Sequence, residues 1–320
     1  MKVPRHEPGT LLSRRELVAG TLATAATLAL PAAAGAADAA PLPLITKAIP
    51  STGEKLPAVG LGTDQFRADE QAAIGAEIVR MQQLGGTVID TAAAYGDSED
   101  IIGGALAANA APGRMFIATK LTLSGRGFRG DGIGGTASFE RSLARLKTSR
   151  IDLLQVHNLD GVDELIPQLQ AWKAAGRIRY YGITTSRVAQ HAQMIEYVRK
   201  YPLDFIQVDY SLDNRDAATT LLPLAQEKRV AVLANIPFGF GRVLSQAQSR
   251  KLPAWAADLN VASWAQFLLK YVISHPAVTV AIPGSTKVAH LEDNQGAARG
   301  QLPDAATRLK MEQYWDSGTG

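Results

Sequence analysis

The sequence predicts one parallel α/β barrel of eight strand–helix units, and three observations indicate this fold class. Short apolar segments recur along the chain, with centres near Leu61, Ile89, Ala118, Leu154, Gly182, Val208, Leu233 and Val280. In the segments between these centres, apolar residues repeat with the 3.6-residue period of amphipathic helices. The composition shows no break between residues 41 and 320, which favours one domain over two.

A doubly wound open sheet is the alternative arrangement of alternating strands and helices. That fold usually carries a Gly-x-Gly-x-x-Gly sequence after its first strand, and none follows the first predicted strand here; the spacing at Gly125–Gly130 lies inside the glycine-rich loop after the third strand. The barrel is therefore the preferred prediction.

Two helices are clear enough to predict their buried faces. Phe139, Leu143 and Leu146 lie on one side of the helix before the fourth strand. The next helix repeats this spacing with Leu165, Leu169 and Trp172, and Gly176 is the residue expected to end it.

Three segments exceed the basic strand–helix unit. Residues 41–57 place turn residues between two short apolar pieces, which predicts a hairpin at the bottom of the barrel. Leu121–Thr136 is a glycine-rich loop after the third strand, and Arg242–Pro276 is long enough for an extra helix. Both follow the carboxyl ends of strands, where barrel enzymes control access to the site, so both are candidate lids.

Residues 1–40 are typical of an export signal and not of the folded domain. Ser13-Arg14-Arg15 precedes a mildly apolar run, and an alanine-rich stretch with several Ala-x-Ala sites follows it. The pattern resembles a twin-arginine signal, which implies the twin-arginine export machinery as a partner and a periplasmic or otherwise exported protein. The apolar run is shorter than the roughly 20 residues of a membrane span, so no stable anchor is expected in the mature form.

Charge and composition exclude several classes of function. After residue 40 the chain keeps 29 of its 33 Lys and Arg and 27 of its 30 Asp and Glu, a balance that argues against nucleic acid and anionic membranes as partners. It has no cysteine, which excludes thiolate catalysis and disulfides. A metal-dependent hydrolase barrel is disfavoured because the five histidines are scattered and no His-x-His follows the first strand.

Ionisable residues lie at or just after the ends of three consecutive apolar strands. Asp90 ends Val88-Ile89-Asp90, with Tyr95 five residues later; Lys120 ends the third strand, and His157 follows the fourth. The carboxyl ends of barrel strands meet at one face, so we expect these groups to converge there. Their chemistry suits carbonyl reduction: a tyrosine acid, a lysine that eases release of its proton, a carboxylate that holds the lysine charged, and a histidine donor to the substrate oxygen.

This set of residues resembles the catalytic tetrad of the aldo-keto reductases, and further segments carry the resemblance from about Leu44 to Ala297. Arg177–Thr185 resembles the family's fifth-strand segment, with Thr184 and Thr185 where relatives have Ser-Asn against the nicotinamide carboxamide. Gln207 matches a sixth-strand glutamine that contacts the same group, and Asn158 follows the catalytic histidine. Asn235, before Pro237, takes the position at which many relatives stack an aromatic ring on the nicotinamide.

The segment after the eighth strand resembles the family's phosphate-binding site. Ser285 is kept, while Gly284 and His290 replace a lysine and an arginine found in NADPH-dependent members. Lys287 lies nearby and Asn294 is expected at the adenine. The resemblance thus implies NADP(H), with NAD(H) also possible, and no metal.

The sequence accordingly predicts an oxidoreductase that reduces a small aldehyde or ketone with NAD(P)H, with Tyr95 as proton donor. A non-catalytic nucleotide-binding or regulatory protein on the same barrel is the alternative, because a fold and a site do not by themselves establish turnover.

Overall fold

The computed structural model describes residues 42–109 and 115–318, so the predicted signal at residues 1–40 lies outside the described part. Eight parallel strands alternate with helices after an N-terminal hairpin. The strands are β1 (Thr46–Ala48), β2 (Lys55–Pro57), β3 (Leu61–Gly62), β4 (Val88–Asp90), β5 (Phe116–Leu121), β6 (Ile151–Val156), β7 (Ile178–Thr184), β8 (Phe205–Asp209), β9 (Ala231–Asn235) and β10 (Val278–Ala281). The helices are α1 (Gln71–Gln83), α2 (Ser98–Ala108), α3 (Gly135–Arg145), α4 (Val162–Ala174), α5 (His191–Lys200), α6 (Leu221–Glu227), α7 (Arg242–Ala247), α8 (Trp264–Ser274), α9 (Val288–Gly296) and α10 (Ala305–Asp316).

The parallel sheet closes on itself. Strands pair in chain order from β3 to β10, and parallel bridges join Val59 to Ala281 and Gly62 to Gly284. At this seam the Gly62 N–H donates to the Pro283 carbonyl at 2.9 Å. The prediction of a (β/α)8 barrel is confirmed, and each of the eight predicted centres lies in its strand. The doubly wound sheet is excluded because that fold leaves its edges open.

Apolar side chains fill both sides of this sheet. Alternate strand residues point inward and form a separate barrel core, with Phe116, Leu153, Tyr180, Phe205 and Val280 among its members. The intervening residues pack outward against the helices. Layers of bulky side chains make the barrel interior a packed core, so the site is confined to one end.

The N-terminal hairpin closes the opposite end. β1 and β2 pair antiparallel, and Ile49 and Leu56 from the hairpin join the inner core. The Lys47 ammonium donates to the carbonyls of His275 and Val278, each at 2.8 Å, where β10 begins. The predicted hairpin at the bottom of the barrel is therefore confirmed.

The two helices analysed in the sequence form as predicted. Phe139 and Leu143 of α3 are buried, as is Leu146 at the end of that helix, and Phe139 stacks on Trp172 of α4 at 4.1 Å between ring centroids. After α4, Gly176 takes φ +72° and the Arg177 N–H donates to the Trp172 carbonyl at 2.9 Å. This left-handed residue satisfies the last carbonyls of the helix, as expected of a glycine cap.

Both long segments lie on the face formed by the carboxyl ends of the strands. The glycine-rich loop connects β5 to α3, and the segment after residue 241 contains α7 as an extra helix before α8. In the described part of the chain, no helix is long and apolar enough to cross a membrane.

Candidate active site

Strand alternation and register bring the four predicted catalytic residues together. Asp90 is the last residue of β4 and faces inward like Val88, two positions earlier. Lys120 faces the same interior from β5 and lies in register with Gln155 of β6. His157 follows β6 directly. Tyr95 reaches the group from the loop after β4, whose first residues still pair with β5, because the Ala93 N–H donates to the Lys120 carbonyl at 3.0 Å.

Asp90 and Lys120 form an ion pair inside the barrel mouth. The Lys120 Nζ lies 2.5 Å from the Asp90 Oδ1, and both side chains are almost fully buried. The ammonium also donates to the Thr91 carbonyl at 2.8 Å. Burial has the largest single effect and opposes the charge on this lysine, but the attraction and hydrogen bonding of Asp90 and Tyr95 together hold the pKa of Lys120 above its usual value. The site therefore contains a permanent cation.

The ammonium lies over the Tyr95 ring, with 5.0 Å between the Nζ and the ring centroid. Burial raises the pKa of the Tyr95 phenol, and the nearby Lys120 charge offsets part of that rise. The phenol consequently stays protonated at neutral pH, with a cation beside it to stabilise the phenolate. Those are the two properties that a proton donor needs.

His157 completes the group as a neutral ring. Its edge meets Tyr95 at 5.6 Å between centroids and an interplanar angle of 79°. Burial, together with the Lys120 charge, lowers the pKa of His157 to about 3. The ring is therefore neutral and not a proton source at neutral pH. Its Nδ1 is buried without a partner among the described residues.

Polar groups predicted for the nicotinamide line the neighbouring strand ends. The Asn158 N–H donates to the Thr184 Oγ1 at 3.1 Å, and the Asn235 amide donates to the Thr185 carbonyl at 3.0 Å. The Gln207 amide donates to the Asp90 Oδ2 at 2.8 Å, so this glutamine also supports the ion pair. Among the described residues, the buried Asn235 Oδ1 has no partner.

The segment between β10 and α9 forms a compact turn. The Ser285 Oγ accepts from the Lys287 N–H at 3.2 Å and donates to the Lys287 carbonyl at 3.1 Å. Lys287 and His290 are exposed, and Asn294 is buried on α9. Pro237 lies apart from this turn, two residues beyond β9. The structure therefore places the predicted phosphate residues at one helix start, separate from the tetrad.

Sequence reasoning missed several residues that support the site. The Thr63 hydroxyl donates to the Asp90 carbonyl at 3.0 Å, and the Ser98 hydroxyl donates to Thr63 at 2.8 Å. Arg129, from the glycine-rich loop, donates to the carbonyls of Asp64 and Phe66 at 3.0 and 3.2 Å. Of these, only Arg129 carries a readable signal, as an arginine in a glycine-rich loop on the catalytic face.

One further residue, Gln155, is a polar residue in an otherwise apolar stretch of strand, two positions before His157. That position is a usable sequence signal. Within the described residues, no cluster of His, Asp or Glu could hold a metal ion.

A closed parallel barrel with a buried Tyr–Lys–Asp–His group at its mouth defines a class of barrel oxidoreductases, and sequence comparison identifies the family. The profile of the Aldo/keto reductase family matches residues 58–309. The chain belongs to this family and is an enzyme of the oxidoreductase class.

Curated relatives and solved structures agree with this assignment. The chain is 30% identical over 270 residues to methylglyoxal reductase YeaE of Escherichia coli, a match that covers 81% of this chain and 91% of the relative. It is 28% identical to aldo-keto reductase str7 of Strobilurus tenacellus, over 72% of this chain and 78% of the relative. An aldo/keto reductase from Klebsiella pneumoniae, solved with NADP and acetate, superposes with a TM-score of 0.69 at 25% identity, over 82% and 93% of the two chains.

Proposed function

We propose that this protein reduces a small aldehyde or ketone to an alcohol, using NADPH as the hydride donor. The observation that carries the proposal is the buried group of Asp90, Lys120, Tyr95 and His157 at the mouth of the barrel. It is supported by relatives named as reductases and by a structural neighbour that contains NADP.

Two features of the chain fit a nicotinamide cofactor. At the nicotinamide end, the buried Asn235 Oδ1 lacks a partner and could accept from a carboxamide. At the other end, Ser285 and the backbone at the start of α9 provide hydrogen-bonding groups for a phosphate. The residues proposed to hold the cofactor are Asn158, Thr184, Thr185, Gln207, Asn235 and Pro237 at the nicotinamide and Ser285, Lys287, His290 and Asn294 at the adenosine phosphate. NADH remains a possible second cofactor because few cations surround Ser285.

Bound NADPH supplies a hydride to the carbonyl carbon, and the side chains of this chain handle the oxygen. His157, neutral and beside Tyr95, donates a hydrogen bond that orients the carbonyl oxygen. Tyr95 transfers its proton to that oxygen as negative charge develops there. Lys120 stabilises the resulting phenolate, and Asp90 keeps Lys120 charged.

The proposal is tested with Tyr95→Phe, which keeps the ring and removes the acid. Carbonyl reduction should fall by roughly 10²–10⁴-fold, the usual contribution of one general acid, while nucleotide binding stays close to wild type. Lys120→Met should lower the rate of carbonyl reduction by a similar factor. Rates would be measured by NADPH oxidation over a panel of aldehydes and ketones, and nucleotide affinity by fluorescence titration.

The rate of carbonyl reduction and the nucleotide affinity together distinguish an enzyme from a nucleotide-binding regulatory protein. If both variants turn over normally, the proposed roles of Tyr95 and Lys120 are wrong. If the unmutated protein binds NADPH but reduces no carbonyl in the panel, a nucleotide-binding regulatory protein becomes the better description.

We further propose that the protein is exported by the twin-arginine machinery, which releases it in the periplasm or outside the cell. The support is the Ser13-Arg14-Arg15 sequence and the alanine-rich stretch before residue 41. That machinery carries folded proteins, so the enzyme would leave the cytoplasm with its cofactor already bound.

A further inference from the structure

Gln155 is a buried amide that the proposed reaction does not use. It lies in β6 and is fully buried, and neither its Oε1 nor its Nε2 has a partner among the described residues. Buried amides are almost always hydrogen-bonded, since an apolar surrounding penalises a polar group without a partner. The burial of the Gln155 amide beside the tetrad therefore indicates that it has a specific hydrogen-bond partner.

The partner must lie on the inner side of β6. Leu153 belongs to the barrel core, so Gln155, two positions later on the strand, points into the same interior, and His157 follows directly after the end of β6. On the neighbouring strands, Gln155 is in register with Lys120 and Gly182. The Lys120 ammonium is already held by Asp90 and Thr91, and Gly182 offers no side chain.

His157 presents the complementary unpartnered atom. Its Nδ1 is buried without a partner among the described residues. A neutral imidazole carries one hydrogen, and the partner of one ring nitrogen decides whether the other is the donor. For His157 to donate from Nε2 to a carbonyl oxygen, its Nδ1 must carry no hydrogen, and a donor placed at Nδ1 favours that tautomer.

We propose that Gln155 is a positioning residue that sets the tautomer of His157. Its amide N–H donates to the Nδ1 of His157 through one bound water, so that the hydrogen of the ring stays on Nε2. Residues two apart in a strand are about 6.6 Å apart, a span that a glutamine side chain and one water can cover. This inference rests on the proposed function, because only a carbonyl substrate needs a donor at that nitrogen.

The direct test is nitrogen NMR of the intact protein with ¹⁵N-labelled histidine. The chain has five histidines, and the His157→Gln variant identifies the signal of the ring in question. The wild-type ring should be the Nε2–H tautomer near pH 7. Gln155→Met, which keeps the length of the side chain and removes the donor, should shift the ring towards the Nδ1–H form. Gln155→Glu should shift it further, since a carboxylate only accepts.

Leu153→Met is the matched control, on the same strand and the same face but one layer deeper. Leu153→Met should leave the tautomer and the rate unchanged. Gln155→Met should lower kcat by about tenfold, because a fraction of the His157 rings would no longer donate a hydrogen bond to the substrate oxygen as negative charge develops there. The nucleotide KM should not change.

An Nδ1–H tautomer in the wild-type protein would overturn the proposal, even if no variant folds. An unchanged tautomer in both Gln155 variants would also overturn it. Because the tautomer is read without substrate, a protein that lacks reductase activity but responds as expected would refute the proposed function and keep the Gln155–His157 contact.

Discussion

At the scale of single residues, burial decides the chemistry of this site. Asp90 and Lys120 are placed where each charge would be costly alone, and each is stabilised by the other. Tyr95 and His157 are buried next to that pair, and burial moves their pKa values in opposite directions. The result is an acid that stays protonated and a histidine that stays neutral over the same range of pH.

This difference in ionisation predicts the pH dependence of carbonyl reduction. Reduction requires the protonated phenol and the neutral imidazole. The pKa of Tyr95 is raised, and that of His157 is lowered to about 3, so neither group titrates at ordinary pH. We expect kcat to be flat from about pH 5 to about pH 9, because Tyr95 stays protonated and His157 stays neutral throughout that range.

The measurement is a kcat profile at saturating nucleotide and substrate in buffers of constant ionic strength. An inflection near pH 6.5 that disappears in His157→Gln would show that the ring titrates in the working enzyme, contrary to this prediction.

At the scale of elements, the loop between β5 and α3 is held on the catalytic face by Arg129 and by Ser124, whose hydroxyl donates to Asp160. The Arg129 guanidinium donates to carbonyls of the segment after β3. The backbone N–H of Arg129 donates to the Ala94 carbonyl at 2.9 Å, next to Tyr95. Phe128 beside it is 67% exposed, so the loop contributes little to the apolar core. The loop is therefore expected to shape the substrate pocket more than it stabilises the fold.

Arg129→Ala should accordingly change substrate KM by several-fold and leave the melting temperature nearly unchanged, because the lost hydrogen bonds join two surface loops. Arg126→Ala, an exposed arginine of the same loop, is the matched control and should alter neither quantity. Deletion of residues 124–132 should change substrate KM more than Arg129→Ala does, again with little effect on the melting temperature. A large drop in melting temperature with unaltered kinetics would assign the loop a structural role instead.

The turn between β10 and α9 is the segment that we propose to distinguish NADPH from NADH. Gly284 supplies no charge, and Lys287 is the exposed lysine of the Ser285–Lys287 turn at the start of α9. A phosphate on the ribose needs cationic donors, so Lys287 is the residue expected to recognise it. Lys287→Ala should weaken NADPH binding roughly ten-fold, about 1.4 kcal/mol, and leave NADH nearly unaffected.

Fluorescence titration with both nucleotides provides the measurement, and Lys251→Ala, an exposed lysine on another segment, serves as control. Equal losses for the two nucleotides would show that Lys287 does not recognise the phosphate. We expect only a modest preference for NADPH in the unmutated protein.

At the scale of the whole molecule, the closed sheet has a packed end, covered by the N-terminal hairpin, and an opposite end that holds the candidate active site. The hairpin and the inner core fill the barrel from below, and the seam between β3 and β10 removes the open edges. The buried group of Asp90, Lys120, Tyr95 and His157 lies at the other end, where loops and a cofactor can contact it.

Export is the prediction that concerns the whole chain. Residues up to about Ala40 should be absent from the exported protein, since the twin arginines precede an alanine-rich region suited to cleavage. N-terminal sequencing of the periplasmic fraction would measure this, with Arg14→Lys and Arg15→Lys combined as the variant that should retain the protein in the cytoplasm. Full-length protein in the cytoplasm, with no effect of that variant, would contradict the prediction.

Local patterns in the sequence determine much of this protein. The eight strands are visible because each is a short apolar run, and the catalytic candidates are visible because ionisable groups end three of those runs. The glycine that ends α4 is equally local, since only the helix before it sets the need for positive φ.

Only the tertiary structure decides contacts between distant segments. The Gln207 amide reaches Asp90 across 117 positions, Arg129 reaches Asp64 across 65, and the barrel closes between segments more than 200 residues apart. The partnerless Gln155 is likewise a property of its surroundings. Periodicity tells which face of a strand is buried, but the groups that share that interior are set by packing of the whole barrel.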